Sequence, residues 1–149
     1  MTARPRYVID ASVGVKWLFP EAGSEQALAL LGLADTESAT LLAPDVFAAE
    51  VTNVIWKRAR LQREITDEEA RARLEHLRRT LPQLLRTADL VEQALELALT
   101  FRVAVYDCLY VALALRDGST LVTADRRLVR ALGPVTGRVV HIEELRLAT

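Results

Sequence analysis

Short apolar runs alternate along this chain with longer stretches whose apolar residues recur every three or four positions. Tyr7-Val8-Ile9-Asp10 reads as a short buried strand, from which Ala11-Ser12 turn into an apolar helix ending near Pro20. Ser24 suits the N-cap of a helix from Glu25 to about Ala34, with Ala27, Leu28 and Leu31 on one face. Leu41-Leu42-Ala43 is a second strand, and Pro44-Asp45 open a helix to about Leu61 on which Phe47, Val51, Val54, Ile55 and Arg58 keep helical spacing. Thr66-Asp67-Glu68-Glu69 has the form of a capping box and starts a helix through about Arg79.

The pattern continues with a third strand at Gln83 to Thr87 and a helix from Leu90 to Phe101, its buried stripe being Val91, Ala94, Leu95 and Ala98. A helix from Tyr106 ends at Gly118, where a left-handed C-cap fits. Thr120–Thr123 is a strand, Asp125–Leu132 a short helix and Arg138–Ile142 a last strand. No Asn-Gly or Asp-Gly turn joins two strands. Strands that alternate with helices predict an α/β domain with a parallel sheet covered on both faces. At 149 residues, without repeat, linker or low-complexity tract, the expectation is a single domain over 1–149.

Four carboxylates stand out against this frame: Asp10, Glu50, Asp107 and Asp125. Each sits where a helix starts or on the apolar face of one, and a charge in such a place costs several kcal/mol unless compensated. Singly, Asp10, Asp107 and Asp125 each pass for a cap or turn residue. Glu50 does not, because it shares a helical face with Val46, Phe47 and Val54. Jointly, Asp10 and Asp125 each follow a strand and Asp107 opens a helix, so all three fit the rim beyond the carboxyl ends of a parallel sheet. Ser12 and Thr123 flank two of them as supporting hydroxyls.

Hard oxygen donors without a nearby histidine or thiol select magnesium or manganese over zinc. His76 and His141 are isolated and read as surface or core residues. The chemistry that uses such a cluster is displacement at phosphorus, with a metal-activated water as nucleophile. The chain lacks the second aspartate of an Asp-x-Asp phosphatase, a Gly-x-x-x-x-Gly-Lys loop and a Gly-x-Ser-x-Gly elbow.

Composition narrows the setting. Hydrophobic residues make up 51% and charged residues 26%, a globular balance, and no apolar run is long enough to span a bilayer, so no membrane role is expected. The single cysteine, Cys108, reads as a small buried hydrophobe and suits a reducing, cytoplasmic setting; no signal peptide is apparent. Net charge is −1, yet between Lys57 and Arg86 nine basic residues face five acids. That stretch is either a solvated helical face or a surface for phosphate groups, and Arg71 and Arg73 are the exposed arginines expected to report on it.

The residues around the four acids resemble those of PIN-domain ribonucleases, and specifically the VapC-like toxins of type II toxin–antitoxin pairs. The resembling segments are Val8-Ile9-Asp10-Ala11-Ser12-Val13 with Lys16 to Glu21, Ala43-Pro44-Asp45 leading to Ala49-Glu50-Val51-Thr52-Asn53, Val105-Tyr106-Asp107 through Ala114, and Leu121 through Leu128. The resemblance implies a PIN-like three-layer α/β/α sandwich with a short, mostly parallel sheet. It further implies endonucleolytic cleavage of RNA with Mg2+ or Mn2+, the acidic set falling on Asp10, Glu50, Asp107 and Asp125, and it implies a homodimer and a cognate antitoxin. Two alternatives share these residues: a PIN-type RNA-processing nuclease without an antitoxin, and a non-catalytic RNA-binding module. Keeping four acids disfavours the last, since RNA binding alone favours neutral or basic residues.

Overall fold

Val8, Ile9, Leu121 and Val122 are fully buried, and they mark the two strands at the middle of the molecule. The computed structural model describes residues 3–147. In chain order its elements are β1 (Arg6–Ile9), α1 (Ala11–Leu18), α2 (Ser24–Asp35), β2 (Thr40–Pro44), α3 (Val46–Arg60), α4 (Asp67–Thr80), β3 (Gln83–Leu85), α5 (Val91–Phe101), α6 (Val105–Asp117), β4 (Thr120–Thr123), α7 (Arg126–Thr136) and β5 (Val139–His141). The five strands form one sheet of order β3-β2-β1-β4-β5, and every pairing is parallel. Helices α1 to α4 pack on one another over one face, whereas α6 lies across β1, β2 and β4 on the other face, carries α5, and has α7 beside it on β4 and β5. The architecture is a three-layer α/β/α sandwich.

This topology decides where a ligand belongs. The chain runs outward from β1 through β2 to β3, then returns to the far side of β1 for β4 and β5. The turnabout leaves a crevice beyond the carboxyl ends of β1 and β4, because the helices leaving those strands go to opposite faces. Register sets Ile9 beside Val122, and the Asp10 amide donates to the Val122 carbonyl at 3.0 Å. Asp10 and Thr123 are therefore brought level at the mouth of the crevice. Helix α3 approaches the same mouth by crossing α1 at Gly14, where a Cβ would lie 2.5 Å from Phe47 Cζ. Only glycine permits that closeness.

Several expectations from periodicity need correction. Val91 and Leu95 are each 47% exposed, and the buried side of α5 is Ala94 with Leu97, Ala98 and Phe101 partly covered. The reason is layering: α5 rests on α6 rather than on the sheet, so only part of its apolar surface is used. Leu28 is likewise exposed, and α2 buries Ala27 and Leu30. Pro44 ends β2 instead of opening α3, and β3 stops at Leu85 because Thr87 turns back to donate its amide to Asp45 at 3.1 Å. Helix α7 runs past Leu132 to Thr136, takes Pro134 into its last turn, and ends at Gly137 with φ 65°. No single helix among the described residues is long and apolar enough to cross a membrane.

Candidate active site

The residue after β1, Asp10, occupies the N-cap position of α1 with extended backbone angles, yet its side chain does not cap that helix. It is bent toward two hydroxyls instead. Oδ2 accepts from Ser12 Oγ at 2.6 Å and from Thr123 Oγ1 at 2.8 Å. Both hydroxyls have their proton direction set by the backbone: Ser12 Oγ accepts from the Ala124 amide and Thr123 Oγ1 from the Asp125 amide, each at 3.0 Å. The protons of Ser12 and Thr123 are thereby left for Asp10. Burial pushes the Asp10 carboxyl above its ordinary range, Ser12 and Thr123 pull it back, and Asp125 adds repulsion.

Glu50 projects from the middle of α3, half-buried, and its Oε1 accepts from the phenol of Tyr110 at 2.6 Å. Tyr110 is fully buried in α6, and burial together with Asp10 and Glu50 raises its pKa far enough that the phenol stays a donor. Glu50 is raised in turn by burial and by Asp10 and Asp107, with Tyr110 opposing.

Asp107 sits three residues into α6, whose N-cap is Ala104, so it is no cap. It accepts no hydrogen bond from the described residues, and its carboxyl is pushed up to about 6 by burial and then by Asp10 and Asp125, against the pull of Arg127. Only Asp125 caps in the ordinary way, Oδ1 accepting from the Arg127 and Leu128 amides at 2.9 and 3.4 Å. Capping thus accounts for one of the three aspartates and fails for the other two.

Ala124, between Thr123 and Asp125, is held by His141. That buried imidazole accepts from the Glu143 amide at Nδ1 (3.1 Å), so its proton lies on Nε2, 3.2 Å from the Ala124 carbonyl. His141 is a brace for the β4–α7 connection, and His76 is exposed. Cys108 is buried, and its thiol is raised to about 11 by burial and Asp107, which keeps it protonated.

All four acids line one open cleft of about 320 Å³, together with Ser12, Asn53 and Lys57. Asn53 and Lys57 follow Glu50 by three and seven residues, one helical face, a spacing that was readable in the sequence. Tyr110 stands likewise three residues after Asp107. Among the described residues no three acids, histidines or cysteines converge into a ready-made metal cage. The donor set nevertheless fits a hard divalent cation of the kind that keeps several waters and takes only one or two carboxylates directly. Three of the acids carry raised pKa values, partly through mutual repulsion that such a cation would relieve.

The basic stretch divides. Arg58 pairs with Glu21 and Glu64, Arg60 with Asp67, Arg78 with Glu75, and Arg86 lies 4.0 Å from Asp89. Arg73 is not an exposed arginine as expected: it is partly buried, its guanidinium 5.3 Å from the centre of the Phe19 ring. Much of this stretch is an ion-paired face, and Lys57 is the member that reaches the acidic cleft.

Known proteins resemble this chain in sequence and in fold. The chain is 39% identical over 125 residues to ribonuclease VapC3 of Pyrobaculum aerophilum, covering 83% of this chain and 92% of that one. Among solved structures it superposes on PAE2754 of P. aerophilum with TM-score 0.66 and 24% identity, over 93% and 92% of the two chains. It also matches VapBC2 of Rickettsia felis, solved bound to a fragment of promoter DNA, with TM-score 0.66 and 16% identity over 91% and 98%. These two likenesses concern the fold. A model of the PIN domain matches residues 7–132, most of the chain and all four acids, and the chain belongs to the PIN-domain family.

Proposed function

We propose that this protein is an endoribonuclease that hydrolyses RNA phosphodiesters at Asp10, Glu50, Asp107 and Asp125 with Mg2+ or Mn2+, and that it is the toxin of a toxin–antitoxin pair. The observation that carries the reading is a crevice lined by four carboxylates at the switch point of the sheet, three with raised pKa values and only one doing capping work. A divalent cation supplies charge neutralisation at the phosphate and a more acidic water.

The chain's own groups divide the remaining work. Ser12 and Thr123 fix Asp10 through Oδ2, the α7 amides fix Asp125 through Oδ1, and Tyr110 fixes Glu50 through Oε1. The second oxygen of each anchored acid is the candidate ligand. Asp107 is unanchored, and a carboxylate with pKa about 6 suits taking a proton from the attacking water near neutrality. Lys57 offers a positive charge to the substrate backbone.

An antitoxin partner is inferred from the VapBC likeness, and a homodimer belongs to the same proposal. Val91, Leu95 and Leu99 form an exposed stripe at one-turn intervals on α5, which supports a covered face there. A reducing cytoplasm is the setting proposed for the lone buried thiol.

The test is direct. Purified protein incubated with cellular RNA should cut at discrete positions, mapped as new 5′ ends, with magnesium or manganese and not with chelator. Cutting that persists in chelator removes the metal from the proposal, and no cutting with either metal removes the nuclease.

Tyr110→Phe provides a finer check. The ring stays, Glu50 loses its donor, and activity should fall about tenfold, as for the loss of an outer-shell partner of a metal ligand. The metal concentration for half-maximal activity should rise while the melting temperature changes little. Parental values for both activity and metal requirement would mean that Glu50 is not used through this bond.

A further inference from the structure

Beside the acidic cleft lies a second one of about 330 Å³, between the α5–α6 connection and α7, and the two share Asp107 and Asp125 as a common wall. Its floor is apolar, made by Phe101, Val103, Leu128 and Ala131, and Arg102 and Arg127 stand on its rim. A volume near the bottom of the range for small-molecule pockets suits a single nucleotide and is too small for a docked helix.

We propose that this second cleft is a nucleotide subsite of the same centre: it takes the base of a residue flanking the scissile phosphate on its apolar floor, and that residue's phosphate on Arg102 and Arg127. The proposal rests on the nuclease reading above, and it is carried by two features.

Continuity is the first. A strand whose phosphate lies at Asp10, Asp107 and Asp125 meets this cleft next, because two of those acids line both sides. The second is charge. Arg126 is tied to Glu143 and Glu144 at 3.3 and 3.5 Å, whereas Arg102 and Arg127 form no ion pair among the described residues. With Asp107 and Asp125 on the wall shared with the acidic cleft, and Arg127 acting on Asp107, the two arginines over an apolar floor match a ligand with one anionic and one flat apolar part, and guanidinium planes serve both phosphate and base.

Backbone conformation decides which variant tests the cleft. Arg102 ends α5 with φ 55° and ψ 43°, the left-handed position where glycine is the unstrained choice. A long cationic side chain held there carries backbone strain. Glu37 and Arg63 also take positive φ away from the cleft, so the strain at Arg102 serves the test, by making glycine a substitution that keeps the fold.

The experiment uses the full chain and does not need the natural substrate. Methyl NMR signals of Val103, Leu128 and Ala131 are followed in metal-free protein while each nucleoside 5′-monophosphate is added, with ribose 5-phosphate and inorganic phosphate as controls. Saturable shifts with nucleotides, weaker with ribose phosphate and absent with phosphate, are expected.

Two variants then address turnover. Arg102→Gly and Ala131→Phe should each raise KM for a single-stranded RNA of about ten nucleotides by about tenfold and leave kcat unchanged. Arg102→Gly should melt no lower than the parent, since glycine relieves the left-handed strain, so its loss of affinity is not a folding defect.

Shifts that fail to saturate with any nucleotide, or parental KM in both variants, overturn the subsite. Saturation by a glutamate-rich peptide and by no nucleotide assigns the cleft to a protein partner, and also overturns it. If the parent cuts no RNA but nucleotides still saturate these methyls, the subsite stands and the nuclease reading falls.

Discussion

Asp10→Asn should lower RNA cleavage by about 10³-fold or more and leave the fold intact. The size follows from what is removed: a charge at the centre of the constellation, where loss of a single preorganised polar group costs about 10²–10³ and loss of a reacting group more. The fold survives because an asparagine carbonyl accepts the Ser12 and Thr123 protons just as the carboxylate oxygen does. Asp107→Asn should have the same effect with even less structural consequence, since no hydrogen bond to Asp107 is lost. Asp117→Asn is the control. That acid sits at the end of α6, bound to Arg6 at 2.9 and 3.0 Å and outside the acidic cleft, and its loss should leave cleavage unchanged. Cleavage at the parental rate by a folded Asp10→Asn or Asp107→Asn protein would sink the assignment of these acids.

How much of this was open to the sequence differs from one residue to the next. The strands were legible because a parallel sheet covered on both faces demands unbroken apolar runs, and Val8-Ile9 and Leu121-Val122 are such runs. The outer helices were not, since α5 is apolar on more sides than it buries and composition alone cannot say which side meets α6. Asp10 and Asp125 were visible as residues just past strands. Ser12 and Thr123 were visible as flanking hydroxyls, but that Thr123 serves the distant Asp10 was not, because their bond spans 113 positions and exists only through strand register. Tyr110 was hidden for a related reason: a tyrosine in an apolar helix reads as core, and it is core, but its hydroxyl end reaches an acid 60 residues away. Arg73 went astray because its guanidinium lies against Phe19, which local sequence does not announce.

Without metal the site should oppose folding, and pH should reveal it. The Asp107 carboxyl rises from an ordinary 3.8 to about 6, so between those values the folded chain holds more protons than the unfolded one. Its contribution to stability is therefore intact below pH 4 and lost as pH rises through about 6. Burial and the charges of Asp10 and Asp125 cause the loss, and Arg127 offsets part of it. Asp10 and Glu50 are raised in the same sense and add to the trend. A rise from 3.8 to about 6 corresponds to about 3 kcal/mol, and solvent screening at this half-open site reduces that to about 1–2 kcal/mol. Asp107→Asn should then make the metal-free protein more stable than the parent by about 1–2 kcal/mol at pH 7, and the gap should close below pH 4. Asp45, Asp117 and Glu21 have lowered pKa values and act in the opposite direction, but they are common to both proteins and cancel in the difference. Magnesium or manganese at a hundredfold its Kd should raise the parent by about 2.7 kcal/mol and the variant by much less. Asp125→Ala marks the contrast: it loses hydrogen bonds from two backbone amides, which should cost about 0.5–2 kcal/mol in chelator, and as a site acid it too should gain less than the parent on adding metal. Thermal melts of parent, Asp107→Asn and Asp125→Ala in chelator and in metal, from pH 4 to pH 8, separate the readings. A parent melt indifferent to metal across that range, with Asp107→Asn no more stable than the parent at pH 7, would mean that the four carboxylates do not form a cation site.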